Sequence, residues 1–553
     1  MKIGIKKTAA VALSAILMLT ACSTGGRKTT EDSGTEQTEK TSSKVLNLME
    51  SSEISSMDTI FSQDEPSIVA QSNVFEGLYQ LDENDSVIPA VAKEMPEISE
   101  DGKTYKIKLR EDVKWSNGDP VTAHDFVFAW KKMADPKNQA NYFFLMDGTI
   151  ENGTAIVNEE KEADELGVTA VGDYELEVKL EKPVPYFTSL LAFSPFYPQN
   201  QEFVEEKGKD YGTSSENILS NGPFLMENWD QSSMSWDLVK NEHYYDADSV
   251  KSETIHFEVL KETNTIFNLY ESGDLDVAVL SGDFAKQNND NPDYQAIERS
   301  KVYSLRMNQL RNGEPSIFAN ENVRKAIAYA IDKKGLVENI LADGSKEIYG
   351  YIPKDFVFNP ETGEDFREEA GELVVTDTKK ANEYLKKAEE ELNGEVKIEL
   401  LSRDGDGDKK VAEFIQAQLE ESLPGLKVEV KTVPLNNAIE LMKKGDYELS
   451  VSMWGPDYQD PMTFLENSTT GNTSNYSSET YDQLIDDVVN KYGNDLEKRW
   501  ETLIKAEKVL VEEDAALIPL YQQARAQLVR PGVQGIQYHN FGPTCIYKYA
   551  YIE

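Results

Sequence analysis

The sequence predicts an α/β protein built on open sheets, and two patterns carry that expectation. Short runs with an apolar residue at every second position recur along the chain, as in half-buried strands. Between them lie stretches whose apolar residues return every three or four positions, as on one face of a helix. Strands alternating with helices belong to α/β architectures, in which ligands bind beyond the strand ends near a switch in strand order. The chain has 553 residues, more than one ordinary domain; at about 150 residues each, three or four are expected.

The strands come in order. Tyr105, Ile107 and Leu109 alternate with lysines, and Tyr174, Leu176, Val178 and Leu180 alternate with Glu175, Glu177 and Lys179. Ile255, Phe257 and Val259 repeat the pattern, as do Val396, Ile398 and Leu400, and then Tyr447, Leu449, Val451 and Met453. After the first of these strands, Trp115-Ser116-Asn117-Gly118-Asp119-Pro120 reads as a turn in which Asn117-Gly118 supplies positive φ. A helix opens near Thr122, where Thr122 and Asp125 suit a helix start. Further on, Asn322–Lys334 places Val323, Ile327, Ala330 and Ile331 on one helical face. Lys410–Leu423 does the same with Val411, Phe414, Ile415 and Leu419. No internal repeat interrupts this order.

The N-terminus carries the sharpest short signal. Lys2, Lys6 and Lys7 precede an apolar stretch, Ala9 to Leu19, that is too short for a stable membrane span. It ends in Leu19-Thr20-Ala21-Cys22, which resembles a bacterial lipobox, so residues 1–21 are expected to be a signal peptide and Cys22 the lipidated first residue of the mature chain. Residues 22–44 are rich in Ser, Thr, Gly, Glu and Lys and nearly free of apolar side chains. Such a segment buries too little surface to offset its ordering entropy and reads as a flexible tether.

Composition excludes several functions. A net charge of −43 opposes nucleic-acid binding, which needs a basic face, and opposes adhesion to anionic lipid. Two cysteines, Cys22 and Cys545, provide no disulfide framework, and Cys545 is expected to pack as a small hydrophobe. Four scattered histidines lack zinc-site spacing. There is no GxSxG elbow, and at the nearest approach to a phosphate loop, Gly167 and Gly172, Asp173 stands where Lys is required. Asp404-Gly405-Asp406-Gly407-Asp408 begins like a calcium loop, but Lys409 and Ile415 occupy the positions needing Gly and Glu, so a solvated turn is expected there. No enzyme, cofactor or metal site is expected.

One long segment resembles a known family. Lys106–Lys132, KIKLREDVKWSNGDPVTAHDFVFAWKK, is similar to the signature of solute-binding proteins that serve peptide ABC importers, the extracellular family 5 group. Phe75-Glu76-Gly77-Leu78, Pro183-Val184-Pro185-Tyr186-Phe187, Asn221-Gly222-Pro223-Phe224, Asn322–Ile327, Tyr349–Pro353, Tyr447–Leu465 and Ile518–Tyr521 match in the family's order. The resemblance runs from about Val45 to the C-terminus and is strongest to the oligopeptide-binding branch. It implies a two-lobed, periplasmic-binding-protein-like fold (class II, a "Venus flytrap") with an extra inserted subdomain. Lobe I would combine 45–88, 215–302 and 522–553, the insert would be 89–214, and lobe II 303–521.

The resemblance also implies a site. Trp454-Gly455-Pro456-Asp457-Tyr458 follows an alternating strand, and in oligopeptide-binding relatives the Asp of this motif pairs with a peptide's α-ammonium; Asp457 matches it. Gly455 belongs to the same turn, Trp454 and Tyr458 either line the cleft or pack under it, and Tyr303 and Tyr521 fall near positions that give the relatives' pocket its tyrosines. Some relatives help receive the peptide's C-terminus with an Arg where Val451 stands here, and some carry a His where Asp408 stands. These departures leave open how a ligand's C-terminus is held; Arg403 is a candidate substitute. The expected function is a monomeric, lipid-anchored receptor on the outer face of the cytoplasmic membrane that delivers oligopeptides to permease subunits with separate ATPases. A pheromone, dipeptide, haem, nickel–chelate or sugar receptor on the same fold is the alternative, and a surface peptidase or chaperone-like lipoprotein a more distant one.

Overall fold

The structure, a computed structural model, describes residues 45–392 and 396–553. The expected signal peptide, Cys22 and the tether lie outside the described residues. Among the described residues no helix is long and apolar enough to cross a membrane.

Three sheets organise the chain. The first has the order Leu46–Glu50, Thr254–Val259, Ser235–Lys240, Phe224–Glu227, with Leu46–Glu50 running parallel to Thr254–Val259. Its inward residues, Leu46, Leu48, Ile255, Phe257, Trp236 and Phe224, form one core with Cys545, Tyr547 and Ala550 of the C-terminal segment. Cys545 is buried, and Arg525 Nη1 lies 3.7 Å from its Sγ. The second sheet, Glu97–Ile98, Thr104–Lys108, Glu175–Lys179 and Val168–Ala170, is antiparallel and buries Tyr105, Ile107, Leu176 and Val178.

The third sheet has seven strands. Its main path is Val277–Val279, Leu517–Val529, Tyr294–Met307, Leu449–Trp454, Lys397–Arg403 and Lys427–Val433. Tyr294–Met307 and Leu517–Val529 are long antiparallel partners. One end of this pair lies beside Val277–Val279, and the other joins Leu449–Trp454. Between the two ends the register shifts, at Glu298/Val302 and again at Tyr303/Ser304. Such irregularities bend a strand locally, so the pair carries the chain from one packed body to the next through a bent segment.

The expected elements form, with two changes. The turn at Trp115–Asp119 closes through Gly118 N–H donating to Trp115 O at 2.8 Å, with Gly118 at φ +94. The helix Ala123–Ala134 opens with Thr122 N–H donating to the Asp125 carboxylate at 2.7 Å. The helix expected over 322–334 instead ends at Ala330, and a new turn starts at Lys333. Lys333 is fully buried, its ammonium donating to the carbonyls of Ile348 and Val374, both at 3.2 Å. At the break Asp332 caps the new turn, its carboxylate accepting from Gly335 N–H at 2.9 Å. The Asp404–Asp408 stretch is a solvated bend only at Asp404 and Gly405; Asp406 begins the helix Asp406–Ser422. Carboxylates are favoured in a first helical turn by the exposed N–H groups.

Candidate functional site

Strand Leu449–Trp454 lies inside the third sheet, between Tyr294–Met307 and Lys397–Arg403. Because Lys397–Arg403 runs parallel to it, both strands end at the same sheet edge. The turn Gly455–Pro461 leaves that edge and is fastened from several sides. Asp457 N–H donates to Thr463 Oγ1 at 3.1 Å, and the Asp460 carboxylate accepts from Met462 N–H at 2.9 Å. Arg499, on helix Leu496–Lys508, grips Asp460 with two hydrogen bonds of 2.8 Å. From the C-terminal segment, Gly542 N–H donates to Pro456 O at 3.1 Å.

Asp457 is the exposed point of this fastened loop in a chemical sense. Among the described residues no side-chain hydrogen bond or ion pair reaches its carboxylate. Part of its surface is open, yet protein packs closely around the carboxyl, and that burial, with the neighbouring Glu466, pushes its pKa up to about 8. Burial likewise raises Glu466 to about 7, although it accepts from Tyr458 Oη at 2.7 Å. The Tyr142 hydroxyl is pushed well up by burial, with the charges of Asp457 and Asp64 adding to it. A carboxyl group with no counter-charge, in a recess that disfavours its ionised form, is poised to ionise against an incoming cation.

The other expected residues fall into two groups. Gly455 lies against the aliphatic stem of Lys301; a β-carbon there would stand 3.2 Å from Lys301 Cγ. Trp454 is half-buried, with its indole N–H buried and unbonded. Tyr458 is buried, and its ring stacks on Tyr186 at 4.2 Å with an interplanar angle of 8°. Tyr186 belongs to the segment that follows the second sheet, so this stack ties that segment to the Asp457 loop. Tyr303 and Tyr521 are buried, stacked on one another at 4.6 Å, and sit on the two long strands between the two register shifts.

Several participants were not expected from sequence. Tyr142, Tyr186 and Arg499 come from distant parts of the chain to surround the Asp457 loop, while Glu466 directly follows the marked block Tyr447–Leu465; only Tyr186 lay in a segment already marked, Pro183–Phe187. Glu65 occupies the bent region of the long strands: its carboxylate takes Arg299 at 2.7 Å, Lys301, and Thr544 Oγ1 at 2.7 Å. Burial opposes its charge, but Lys301 and Arg299 hold it well below the usual carboxylate range. Arg403 Nη2 donates to Asp408 Oδ1 at 2.5 Å and to Tyr303 Oη at 3.0 Å. Among the described residues no group of three or more His, Cys, Asp or Glu side chains is arranged to hold a metal ion.

The architecture is that of a two-lobed, extracytoplasmic solute-binding protein with an extra subdomain, a class that binds and does not catalyse. "Listeria monocytogenes OppA bound to peptide" superposes with a TM-score of 0.87 at 42% identity, covering 93% of this chain and 99% of that one. The model for bacterial extracellular solute-binding proteins, family 5 Middle, matches residues 86–476. The dipeptide-binding protein of Lactococcus lactis is 32% identical over 98% of both chains, and dipeptide-binding protein DppE of Bacillus subtilis is 34% identical over 92% of both. The chain belongs to the bacterial extracellular solute-binding proteins, family 5.

Proposed function

We propose that this protein captures oligopeptides outside the cell and delivers them to an ABC importer whose permease and ATPase subunits are separate chains. The observation that carries the reading is Asp457, a carboxylate without a counter-charge in the crevice. A receptor for many sequences can hold only what all peptides share: the backbone amides and carbonyls and the terminal charges. Asp457 supplies the partner for the terminal ammonium, and the ends of the neighbouring strands supply edges along which a peptide backbone can pair. Side chains of different size are accommodated where water fills the remaining space.

We divide the body into lobe I (45–88, 215–302, 522–553), an insert (89–214) and lobe II (303–521). The register shifts near residues 298–304 of the long strands support a hinge there. A ligand bridging Asp457 and lobe I favours the closed state by its extra contacts in that state, and the Tyr186–Tyr458 stack adds to closure. Peptide as the ligand is supported by the peptide-bound Listeria relative; two relatives named as dipeptide-binding support the shorter ligand as a second reading. Native mass spectrometry of protein purified without denaturation is expected to show co-purified peptides of three or more residues. A uniform population of dipeptides would favour the second reading, and a retained sugar or metal chelate would overturn both.

The lipobox-like Leu19–Cys22 supports anchoring of the mature chain through lipid on Cys22. Each buried methylene contributes about 0.8 kcal/mol toward holding the mature chain at the membrane surface. Cys22→Ser is expected to move the protein from the membrane fraction to the soluble fraction of cells; unchanged retention would point to a different anchor.

A further inference from the structure

One cation on the long strands is left without an oxygen partner. Arg525 lies on Leu517–Val529 opposite Ile297, one residue pair from the register shift at Glu298. Its Nε–H is buried and unbonded, and its one hydrogen-bond contact is the Cys545 thiol, 3.7 Å from Nη1. Among the described residues no carboxylate forms an ion pair with it. Other buried cations that lack a carboxylate end on oxygen: Arg324 and Lys333 on backbone carbonyls, and Arg306 on the Tyr351 hydroxyl. Burying a charged group without such partners is costly, so this guanidinium calls for an acceptor.

Arg525 lines a recess with about 220 Å³ of empty space, part of it open to solvent, which takes one occupant of about the size of a water molecule. The other polar walls are two phenols, Tyr538 and Tyr547. Tyr538 Oη accepts from Gln527 Nε2 at 2.8 Å, which leaves its own O–H to donate elsewhere. Among the described residues no hydrogen bond engages Tyr547 Oη. The rest of the lining is apolar, with Leu48, Val277 and Ile536, and no described Asp or Glu belongs to it. Glu50 is felt electrostatically at Arg525 but forms no ion pair with it, and burial raises the Glu50 carboxyl to about 7. A guanidinium and two phenol donors, with no carboxylate in the wall, form a donor set for an anion. None of these residues belongs to the Asp457 loop, whose chemistry is the opposite.

We propose that this recess is a binding site for a small monovalent anion of about the size of chloride, held by Arg525, Tyr538 and Tyr547. The anion supplies the counter-charge that the fold withholds, and it ties the C-terminal segment to the long strand beside its bend. The mature chain is tested at pH 6, where Glu50 carries little charge. As chloride replaces gluconate at fixed ionic strength, the unfolding midpoint is expected to climb by about 1 °C per tenfold in chloride beyond its dissociation constant. In crystals soaked with bromide, an anomalous peak is expected within hydrogen-bonding reach of Arg525 Nε. Arg525→Gln is expected to abolish both signals. Tyr538→Phe combined with Tyr547→Phe keeps both rings and is expected to weaken halide affinity at least about fivefold; if Arg525→Gln does not fold, this variant decides. An unfolding midpoint indifferent to chloride overturns the proposal. So does an ordered water in place of the bromide, donating to the buried, unbonded Gln527 Oε1. A bromide peak without a chloride effect in solution marks an adventitious ion only and overturns it too, as does unchanged halide affinity in the tyrosine variant.

Discussion

Asp457→Ala is expected to weaken binding of a peptide with a free amino terminus by about a hundredfold or more, and to change binding of the N-acetylated peptide little. Truncating one partner of a buried, hydrogen-bonded charge pair costs about 2–5 kcal/mol, much of it the penalty of leaving the other charge without a partner. Here the stranded charge is the ligand's ammonium, in a recess that already pushes the Asp457 pKa up to about 8. Titration calorimetry with the two peptide forms measures the difference directly. Equal losses for both forms would exclude Asp457 from contact with the ammonium.

The same pair has a pH signature with a definite sign. Below about pH 8 the empty site carries a protonated Asp457 while the peptide amine is already an ammonium, so binding releases a proton. Affinity therefore falls with acidification, approaching tenfold per pH unit well below 8. Above that pH, Asp457 is ionised but the peptide's amine, with an ordinary pKa of about 7.7–8.0, loses its proton and affinity falls again. The profile is a bell centred near pH 8. Asp457→Asn removes the acid limb and leaves the limb that belongs to the peptide; an acid limb that persists in this variant would assign it to another group, with Glu466 the first to test.

Arg499→Ala is expected to be the most destabilising single change near the site, by about 3–5 kcal/mol, because it leaves the buried Asp460 carboxylate without its cation. Asp460 and Arg499 are both buried and joined by two bonds of 2.8 Å. Asp460 also accepts from Met462 N–H at 2.9 Å, so the pair fixes the end of the loop that presents Asp457. Its loss is expected to lower the unfolding midpoint and, in protein still folded, to weaken ligand binding. Adding Asp460→Asn is expected to recover much of the stability, since the orphaned charge is then gone. A double variant as unstable as the single one would mean that Arg499 acts through packing of its stem, 5.8 Å below Tyr186 at the guanidinium carbon, rather than through charge.

Much of the fold follows from local chemistry. Alternation at Tyr105–Leu109 and Ile255–Val259 specifies which strand faces are buried, because a strand's side chains point alternately to opposite faces. Thr122 and Asp125 mark a helix start that is realised at 2.7 Å. The helix at Asn322 was legible, but its end was not: the apolar spacing continues past Ala330, while Asp332 leaves the helical path and caps a new turn by accepting from Gly335 N–H at 2.9 Å, and Lys333 is buried against two carbonyls. The start of helix Asp406–Ser422 was missed for a related reason. Its Gly-Asp repeats favour turns in isolation, yet Asp406 and Asp408 occupy a first helical turn where N–H groups favour carboxylates.

The sequence by itself determined the α/β class, the family and the position of Asp457 just beyond a strand end, because each depends on residues close together in the chain. Only the tertiary structure decided which charges have partners. Tyr186 meets Tyr458, Arg499 meets Asp460 and Glu65 meets Lys301 from distant segments. Arg403 and Asp408, five residues apart, pair only because a strand end and a helix start are brought to one sheet edge. Coulomb attraction in a recess depends on separation and burial, neither of which is written in residue order. That is why Asp457 is left without a counter-charge while neighbouring carboxylates such as Asp460 and Glu65 hold cations.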